Sequence, residues 1–209
     1  MTERPLVEAS RRAGVADPRV LDAIRAVDRV GFVPPVLSEE AGLDRPLPIP
    51  HGQVTTQPSL VARMVEALEL RGDERVLEIG TGYGWQTALL SRLAAEVWSV
   101  ERWDDVAVTA RRHLARAGAT NVEVVVGDGS EGLPEHAPFE AILVSAAFPR
   151  VPPPLAAQLR ETGRLVQPIG PGGSEDVVLF VKREGELHAV RTVTGARFVE
   201  LVGRHGYRT

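Results

Sequence analysis

The sequence predicts an α/β protein with an open, doubly wound and mostly parallel sheet, a helical N-terminal cap and antiparallel C-terminal edge strands. From residue 75 onward, short apolar runs alternate with segments of helical periodicity. The apolar runs are nearly continuous, as in parallel strands that are covered on both faces. A glycine-rich turn joins the first run to the helical pattern after it, which is typical of sheets that bind nucleotide-like ligands.

The N-terminal part predicts helices followed by a long loop. Residues 5–32 follow a helical period, and Asp17 before Pro18 favours a helix start with a capping carboxylate. Residues 33–58 are rich in proline and glycine, and their scattered apolar residues predict a packed irregular segment. We therefore expect a single domain of 1–209, in which residues 1–58 form a helical cap and a substrate loop and residues 59–209 form an α/β core. The name substrate loop refers to residues 33–58.

The core elements follow from hydrophobic periodicity. Strands are predicted at 75–79, 97–100, 122–126 and 139–145, and helices at 84–95, 104–117 and 153–160. A further helix begins at Pro58, where apolar residues recur at helical spacing. Beyond residue 160, apolar runs separated by glycines predict antiparallel strands that close one edge of the sheet.

Composition excludes several functional classes. The chain has 209 residues, 44% of them hydrophobic, and a net charge of -4, which argues against nucleic-acid or acidic-membrane partners. It has no cysteine and no H-x-x-x-H pair, so we expect no metal site and no thiol nucleophile. The N-terminus is charged, and no apolar run approaches the ~20 residues that span a bilayer. We expect a cytoplasmic monomer.

Polar features follow three consecutive predicted strands. The glycine turn 80–84 follows the first strand, Glu101 ends the second, and Asp128 and Gly129 follow the third. Ligands of open α/β sheets bind outside the carboxyl ends of the strands, where these residues meet. A carboxylate after the second strand can accept hydrogen bonds from a ribose diol, and one after the third can accept from an adenine amine. The pattern indicates an adenosine-containing cofactor.

The spacing of the glycines helps to identify that cofactor. A dinucleotide fingerprint is G-x-G-x-x-G, whose last glycine lets the helix pack close to the strand. Here the motif is G-T-G-Y-G, and Trp85 stands where a small residue would be needed. Glu78 lies just before the glycines, where a carboxylate disfavours a pyrophosphate and favours a cation. S-adenosylmethionine carries a sulfonium and an ammonium without phosphate, so it is the predicted cofactor.

The chain resembles the protein-L-isoaspartate O-methyltransferase family over about residues 20 to 203. Its segment P-L-P-I-P-H-G-Q-V-T-T-Q-P is similar to the family's P-L-P-I-G-x-G-Q-T-I-S-x-P, and the G-Q-x-x-x-x-P loop is specific to the family. The segments V-L-E-I-G-T-G-Y-G-W-Q-T-A and V-W-S-V-E-R resemble cofactor motifs, the first of which most class I methyltransferases share. Three later segments resemble further family motifs: A-P-F-E-A-I-L-V-S-A-A, G-R-L-V-Q-P-I-G and A-R-F-V-E-L-V-G.

The resemblance implies a seven-stranded, Rossmann-like methyltransferase sheet that binds S-adenosylmethionine. It also implies methylation of the α-carboxylate of L-isoaspartyl residues in damaged proteins or peptides, whose ester then closes to a succinimide. The implied cofactor-binding residues are Glu78, Gly80, Thr81, Gly82, Glu101, Arg102, Asp128 and Gly129. The implied substrate-binding residues are Gln53, Val54, Thr55, Thr56, Ser145 and Ala146.

The substrate loop departs from the family pattern. The family's T-I-S reads Val54-Thr55-Thr56 here, Pro50 replaces a glycine, and Glu140 replaces the aspartate of the fourth strand. Thr56 matches the family's loop serine and is the predicted catalytic residue, holding and orienting the substrate carboxylate. That carboxylate has a pKa of about 4 and is already ionised at neutral pH, so no general base is needed.

Three alternatives stay open at the level of sequence. The altered loop is compatible with a methyltransferase for a dedicated peptide or small molecule. A nicotinamide-dependent oxidoreductase would share the glycine turn but is disfavoured by Trp85. A non-catalytic S-adenosylmethionine-binding module is disfavoured because the loop hydroxyl survives as Thr56.

Overall fold

The computed structural model describes residues 5–171 and 173–208, so residues 1–4, 172 and 209 of the predicted domain lie outside the described residues. The helices are α1 (Pro5–Arg12), α2 (Pro18–Ala26), α3 (Pro58–Ala67), α4 (Trp85–Ser91), α5 (Asp104–Arg116) and α6 (Pro153–Gln158). The short strands of the substrate loop are β1 (Leu47–Pro48) and β2 (Val54–Thr55). The strands of the main sheet are β3 (Arg75–Ile79), β4 (Glu96–Glu101), β5 (Val122–Val126), β6 (Phe139–Val144), β7 (Leu159–Ile169), β8 (Glu175–Arg183) and β9 (Glu186–Ala196).

Within the described residues, the main sheet has seven strands in the order β5-β4-β3-β6-β7-β8-β9. The pairs from β5 to β7 are parallel, and β8 pairs antiparallel with both β7 and β9. Strand order reverses between β3 and β6, so a crevice opens at the carboxyl ends of these central strands. The predicted fold class is confirmed, including the antiparallel C-terminal edge.

Two predicted helices are shorter than expected. The predicted helix 84–95 ends at Ser91, because the chain then turns and the amides of Ala95 and Glu96 donate to the Glu74 carbonyl. The predicted helix 153–160 ends at Gln158, because Leu159 begins β7 and pairs with β6. In both cases backbone pairing to a distant segment ends a pattern that is locally helical.

The sheet is covered on both faces. Val76 of β3 and Leu143 of β6 belong to a buried cluster that includes residues of helices α1 to α5. Their neighbours Leu77 and Ile142 belong to a second cluster, which includes Leu201 of the C-terminal segment. This alternation follows the two-residue period of a strand. None of the described helices is long and apolar enough to cross a bilayer.

Candidate active site

A cleft lies at the carboxyl ends of β3, β4 and β6, under the substrate loop and the segment 199–202. It encloses about 950 Å³, open solvent at its mouth included. Twelve of the residues predicted for the site line it: Gln53, Val54, Thr55, Thr56, Gly80, Thr81, Gly82, Glu101, Arg102, Gly129, Ser145 and Ala146. Two predicted cofactor residues, Glu78 and Asp128, are not among the lining residues.

The glycine turn adopts a backbone that side chains disfavour. Gly80, Gly82 and Gly84 have φ angles of 93°, 55° and 91°, all in the left-handed region. A Cβ atom on Gly84 would also lie 3.3 Å from Cγ of Leu114 on α5. The alternate glycines therefore allow a tight turn beside the cleft and close packing of α5 behind it.

Glu101 presents its carboxylate to the cleft from the end of β4. The backbone amide of Gly82 donates to Oε2 at 2.9 Å, and that of Trp103 donates to Oε1 at 3.1 Å. Burial raises the pKa of Glu101, although the backbone hydrogen bonds lower it in part. A carboxylate has about four acceptor sites, so Glu101 can still accept a hydrogen bond from a ribose hydroxyl.

Glu78 is fully buried beneath the glycine turn. Gln86 Nε2 donates to its Oε1 at 2.8 Å, and the hydroxyls of Thr87 and Ser99 donate to its Oε2 at 2.5 Å each. Burial raises the pKa of Glu78 to about 7, against the lowering effect of these hydrogen bonds. Gln86 Nε2 also donates to the Ser145 hydroxyl at 2.9 Å, which connects Glu78 to the cleft. Direct cofactor contact by Glu78 stays a prediction.

Asp128 holds the C-terminal segment. Its Oδ1 accepts from the backbone amide and hydroxyl of Ser130 at 2.9 and 2.7 Å, and its Oδ2 accepts from the amide of Arg204 at 2.7 Å. Burial raises the pKa of Asp128, but the hydrogen bonds from Arg204 and Ser130 outweigh it and the net pKa is lowered. Gly129 lines the cleft beside it. An adenine contact by Asp128 stays a prediction.

Arg29 is only 2% exposed and forms hydrogen bonds with the substrate loop. Its guanidinium donates to the carbonyls of Ala41, Leu43 and Arg45 at 3.0 to 3.3 Å and to the Thr55 hydroxyl at 2.8 Å. Burial lowers the pKa of Arg29 to about 10, so the group stays charged at neutral pH. Sequence reasoning missed Arg29, because nothing in its local pattern distinguishes it from a surface arginine.

The two threonines of the loop differ in their surroundings. The Thr55 hydroxyl is engaged by Arg29 and also accepts from the amide of Leu47 at 3.1 Å. The Thr56 hydroxyl makes no hydrogen bond with any described residue. Thr56 and Ser145 line both the cleft and a neighbouring groove, so they lie where the two spaces meet.

The tip of the loop contacts the end of β4. The rings of His51 and Trp103 stack with centroids 3.9 Å apart, and His51 Nε2 lies 2.9 Å from Oδ1 of Asp105. Trp103 lines the cleft, and so does Arg102, whose guanidinium lies over the Trp103 ring. Sequence reasoning missed Trp103, although an aromatic residue two positions after the terminal acid was an available signal.

Two buried polar atoms among the lining residues have no hydrogen-bond partner in the described structure. They are Gln86 Oε1, an acceptor, and Trp103 Nε1, a donor. Unpaired buried polar atoms are costly, so a ligand with both donors and acceptors fits the cleft well. S-adenosylmethionine, with its ammonium, carboxylate, ribose and adenine, has such groups.

The substitutions that depart from the family pattern lie at different places. Glu140 stands at the start of β6, where its carboxylate accepts from the Arg75 amide at 2.7 Å and from Arg160 at 2.9 Å. It does not line the cleft. Pro50 accepts from the Gln53 amide at 3.2 Å and shapes the turn at the tip of the loop. Val54, Thr55 and Thr56, rather than Pro50 or Glu140, are therefore the departures that border the site.

Comparison with known proteins agrees with the predicted resemblance. A family model described as Protein-L-isoaspartate(D-aspartate) O-methyltransferase matches residues 1–206. A protein-L-isoaspartate O-methyltransferase of Methanoculleus marisnigri is 52% identical over 204 residues, which are 97% of this chain and 92% of that protein.

Solved structures agree as well. A protein-L-isoaspartate O-methyltransferase structure matches with a TM-score of 0.85 at 30% identity, covering 98% of this chain and 67% of that chain. A Plasmodium falciparum structure, described as a putative protein-L-isoaspartate O-methyltransferase in complex with S-adenosyl-L-homocysteine, shares the fold with a TM-score of 0.81 at 22% identity. The match covers 96% of this chain and 98% of the Plasmodium falciparum chain. The chain therefore belongs to the protein-L-isoaspartate(D-aspartate) O-methyltransferase family.

Proposed function

We propose that this protein uses S-adenosylmethionine to methylate the α-carboxylate of L-isoaspartyl residues in damaged proteins or peptides. The methyl ester then closes to a succinimide, whose hydrolysis partly restores aspartate. Family membership supports this activity. The structural observation that carries the proposal is the unpaired hydroxyl of Thr56, at the junction of the cleft and the neighbouring groove.

The residues of the cleft suit the cofactor in both shape and polarity. Glu101 holds the ribose diol, and the glycine turn brings bare backbone close to the ligand. Gln86 Oε1 offers an acceptor to the ammonium group, and Trp103 Nε1 offers a donor. When bound, S-adenosylmethionine supplies an electrophilic methyl group on a sulfonium.

The other reacting group is the substrate carboxylate, which binds where the cleft meets the neighbouring groove. Thr56 donates a hydrogen bond to the substrate carboxylate and orients it. Ser145 assists, because its oxygen accepts from Gln86 and its own proton is left free to donate. The buried apolar side chains of Ile79 and Ala146 line the cleft and exclude water from it. Methyl transfer neutralises an anion and a cation, so removal of water favours the transition state over the separated charges.

A methyl-transfer assay tests this function with two peptides that differ only in one linkage, isoaspartyl or aspartyl. We expect transfer to the isoaspartyl peptide and essentially none to its aspartyl counterpart. Equal transfer to both peptides, or transfer to neither, would contradict the proposed substrate.

The role of Thr56 is tested by Thr56→Ala. A hydrogen bond to a charged group contributes about 1.5–3 kcal/mol, so we expect turnover to fall about 10- to 150-fold. The dissociation constant of S-adenosylmethionine, measured by calorimetry, should stay nearly unchanged. A variant with wild-type turnover would exclude the role.

We further propose that the protein acts as a cytoplasmic monomer. The ordinary balance of charged and apolar residues supports this proposal. Light scattering should give the mass of a single chain, and cell fractionation should find the protein in the cytoplasm.

A further inference from the structure

A second space, here called the side groove, adjoins the cleft at Thr56 and Ser145. It encloses about 1080 Å³, open solvent included, and lies between α3 and the segment 194–199 at the end of β9. Leu60 of α3 and Phe198, both partly buried, give it apolar walls. The groove therefore begins at the two hydroxyls that we assign to the substrate carboxylate.

The side groove carries positive charge without a compensating acid. Arg63 and Arg197 line it, and no aspartate or glutamate does so among the described residues. Arg63 on α3 is half-buried and donates to a neutral partner, the carbonyl of Val193. Arg197 is exposed and makes no hydrogen bond or ion pair with any described residue.

The nearest acids are engaged elsewhere or face another space. Asp44 accepts from the side chain of Gln57 at 3.0 Å and from the amide of Ser59 at 2.8 Å, and it does not line the groove. Glu200 lines the cleft and a different cavity. The two guanidinium groups are thus available to an anionic partner.

We propose that the side groove holds the peptide chain next to the isoaspartyl residue, and that Arg63 and Arg197 favour substrates with acidic side chains there. The inference rests on the proposed function. A polypeptide whose isoaspartyl carboxylate lies at Thr56 must continue out of the cleft, at about 3.3–3.6 Å per extended residue. The side groove starts at that point, and its charge is complementary to glutamate or aspartate.

The expected effect is moderate, because Arg197 is exposed and Arg63 is only half-buried. Exposed ion pairs contribute about 0.2–1 kcal/mol, which corresponds to at most about a five-fold change in KM for each arginine. The effect should shrink as salt concentration rises, since added ions screen exposed charges. It should change KM and leave kcat nearly constant, because neither arginine is assigned to the reacting groups.

The experiment compares three isoaspartyl peptides that carry Glu, Gln or Lys beside the isoaspartyl residue and are otherwise identical. We expect KM to be lowest for the Glu peptide and highest for the Lys peptide. Arg197→Gln should raise KM for the Glu peptide about two- to five-fold, and Arg197→Glu should reverse the order of preference. Arg63→Gln should act in the same direction.

The matched control is Arg191→Gln, which removes the same charge from an exposed position on β9 outside the groove. It should keep the wild-type preference. Equal KM values for the three peptides, a preference for Lys, or Arg197 variants with wild-type preference would overturn the inference while leaving the proposed function intact. No methylation of any of the three peptides would overturn both.

Discussion

At the scale of single residues, Thr55 and Thr56 show how adjacent and identical side chains acquire different roles. The hydroxyl of Thr55 is engaged by Arg29 and the amide of Leu47, and that of Thr56 has no partner among the described residues. The pair therefore offers a matched test, because the same substitution removes a structural hydroxyl at one position and a functional one at the next.

Thr55→Val should lower stability and Thr56→Val should lower activity. In Thr55→Val, a buried N–H of Arg29 loses its acceptor, so the free energy of unfolding should fall by about 1–3 kcal/mol. Thr56→Val should unfold at the wild-type denaturant concentration and lose at least about ten-fold in turnover. Urea unfolding and methyl-transfer kinetics measure the two effects. Loss of activity in Thr55→Val together with loss of stability in Thr56→Val would contradict the roles assigned to the two hydroxyls.

Glu78 predicts a dependence of stability on pH. Its pKa is raised from 4.5 to about 7 in the folded protein, mainly by burial, so the folded state binds the proton more tightly than the unfolded state. The stabilisation is complete below the unfolded pKa and is lost as pH rises toward about 7, a loss of roughly 3 kcal/mol. Glu78→Gln removes this titration.

The measurement is the free energy of unfolding by urea between about pH 5 and about pH 8. The Glu78→Gln variant should gain stability relative to the wild type as pH rises across this range. Glu123→Gln, at an exposed position on β5, is the control and should follow the wild-type curve. A constant difference between Glu78→Gln and wild type at every pH would contradict the raised pKa.

At the scale of elements, the substrate loop is attached to the protein at two points. Arg29 holds its base, and His51 attaches its tip to Trp103 and Asp105 on the α/β core. Because Trp103 also lines the cleft, the tip contact lets the loop and the cofactor site influence each other. Binding in the cleft should therefore depend on His51, although this residue is not among those that line it.

His51→Ala should weaken S-adenosylmethionine binding by removing the ring stack. Aromatic pairs contribute about 0.5–1.5 kcal/mol, so the dissociation constant should rise by at most about twelve-fold. His51→Phe should restore part of the affinity, since it keeps the stack and loses only the hydrogen bond to Asp105. Calorimetry measures both variants, with His188→Ala, at an exposed position on β9, as the control. Wild-type affinity in His51→Ala would exclude the coupling.

At the scale of the whole molecule, the C-terminal segment completes a site that the rest of the chain begins. Leu201 pairs with Ala147 beside β6, and the amide of Arg204 donates to Asp128 beyond the end of β5. A Cβ atom on Gly203 would lie 2.0 Å from Oδ1 of Asp128. This close approach requires glycine.

Gly203→Ala should displace the segment from Asp128. Overpacking of this kind costs about 1–3 kcal/mol, and the dissociation constant of S-adenosylmethionine should rise several-fold because residues 199–202 line the cleft. Thermal unfolding and calorimetry measure the two effects. Gly31→Ala is the matched control, because a Cβ atom there meets nothing within 4 Å. Equal behaviour of the two variants would show that the segment tolerates displacement.

The sequence by itself determined the alternation of strands and helices, the glycine turn and the acid at the end of β4. The alternation of strands and helices follows from the hydrophobic period, and the glycine turn follows from the local backbone conformation. The position of the acid follows because the carboxyl ends of parallel strands meet at one edge of the sheet. For the same reason the sequence predicted the fold class and most lining residues of the cleft. It also carries the family motifs, which indicate the substrate.

Only the tertiary structure decided which of the predicted polar groups already have protein partners. Glu78 is buried under the turn, the Thr55 hydroxyl accepts from Arg29, and the Asp128 carboxylate accepts from the Arg204 amide. The contacts responsible join residues far apart in the chain, 54 positions for His51 with Asp105 and 76 for Asp128 with Arg204. No local pattern encodes such pairs, because they form only when packed elements bring distant side chains together.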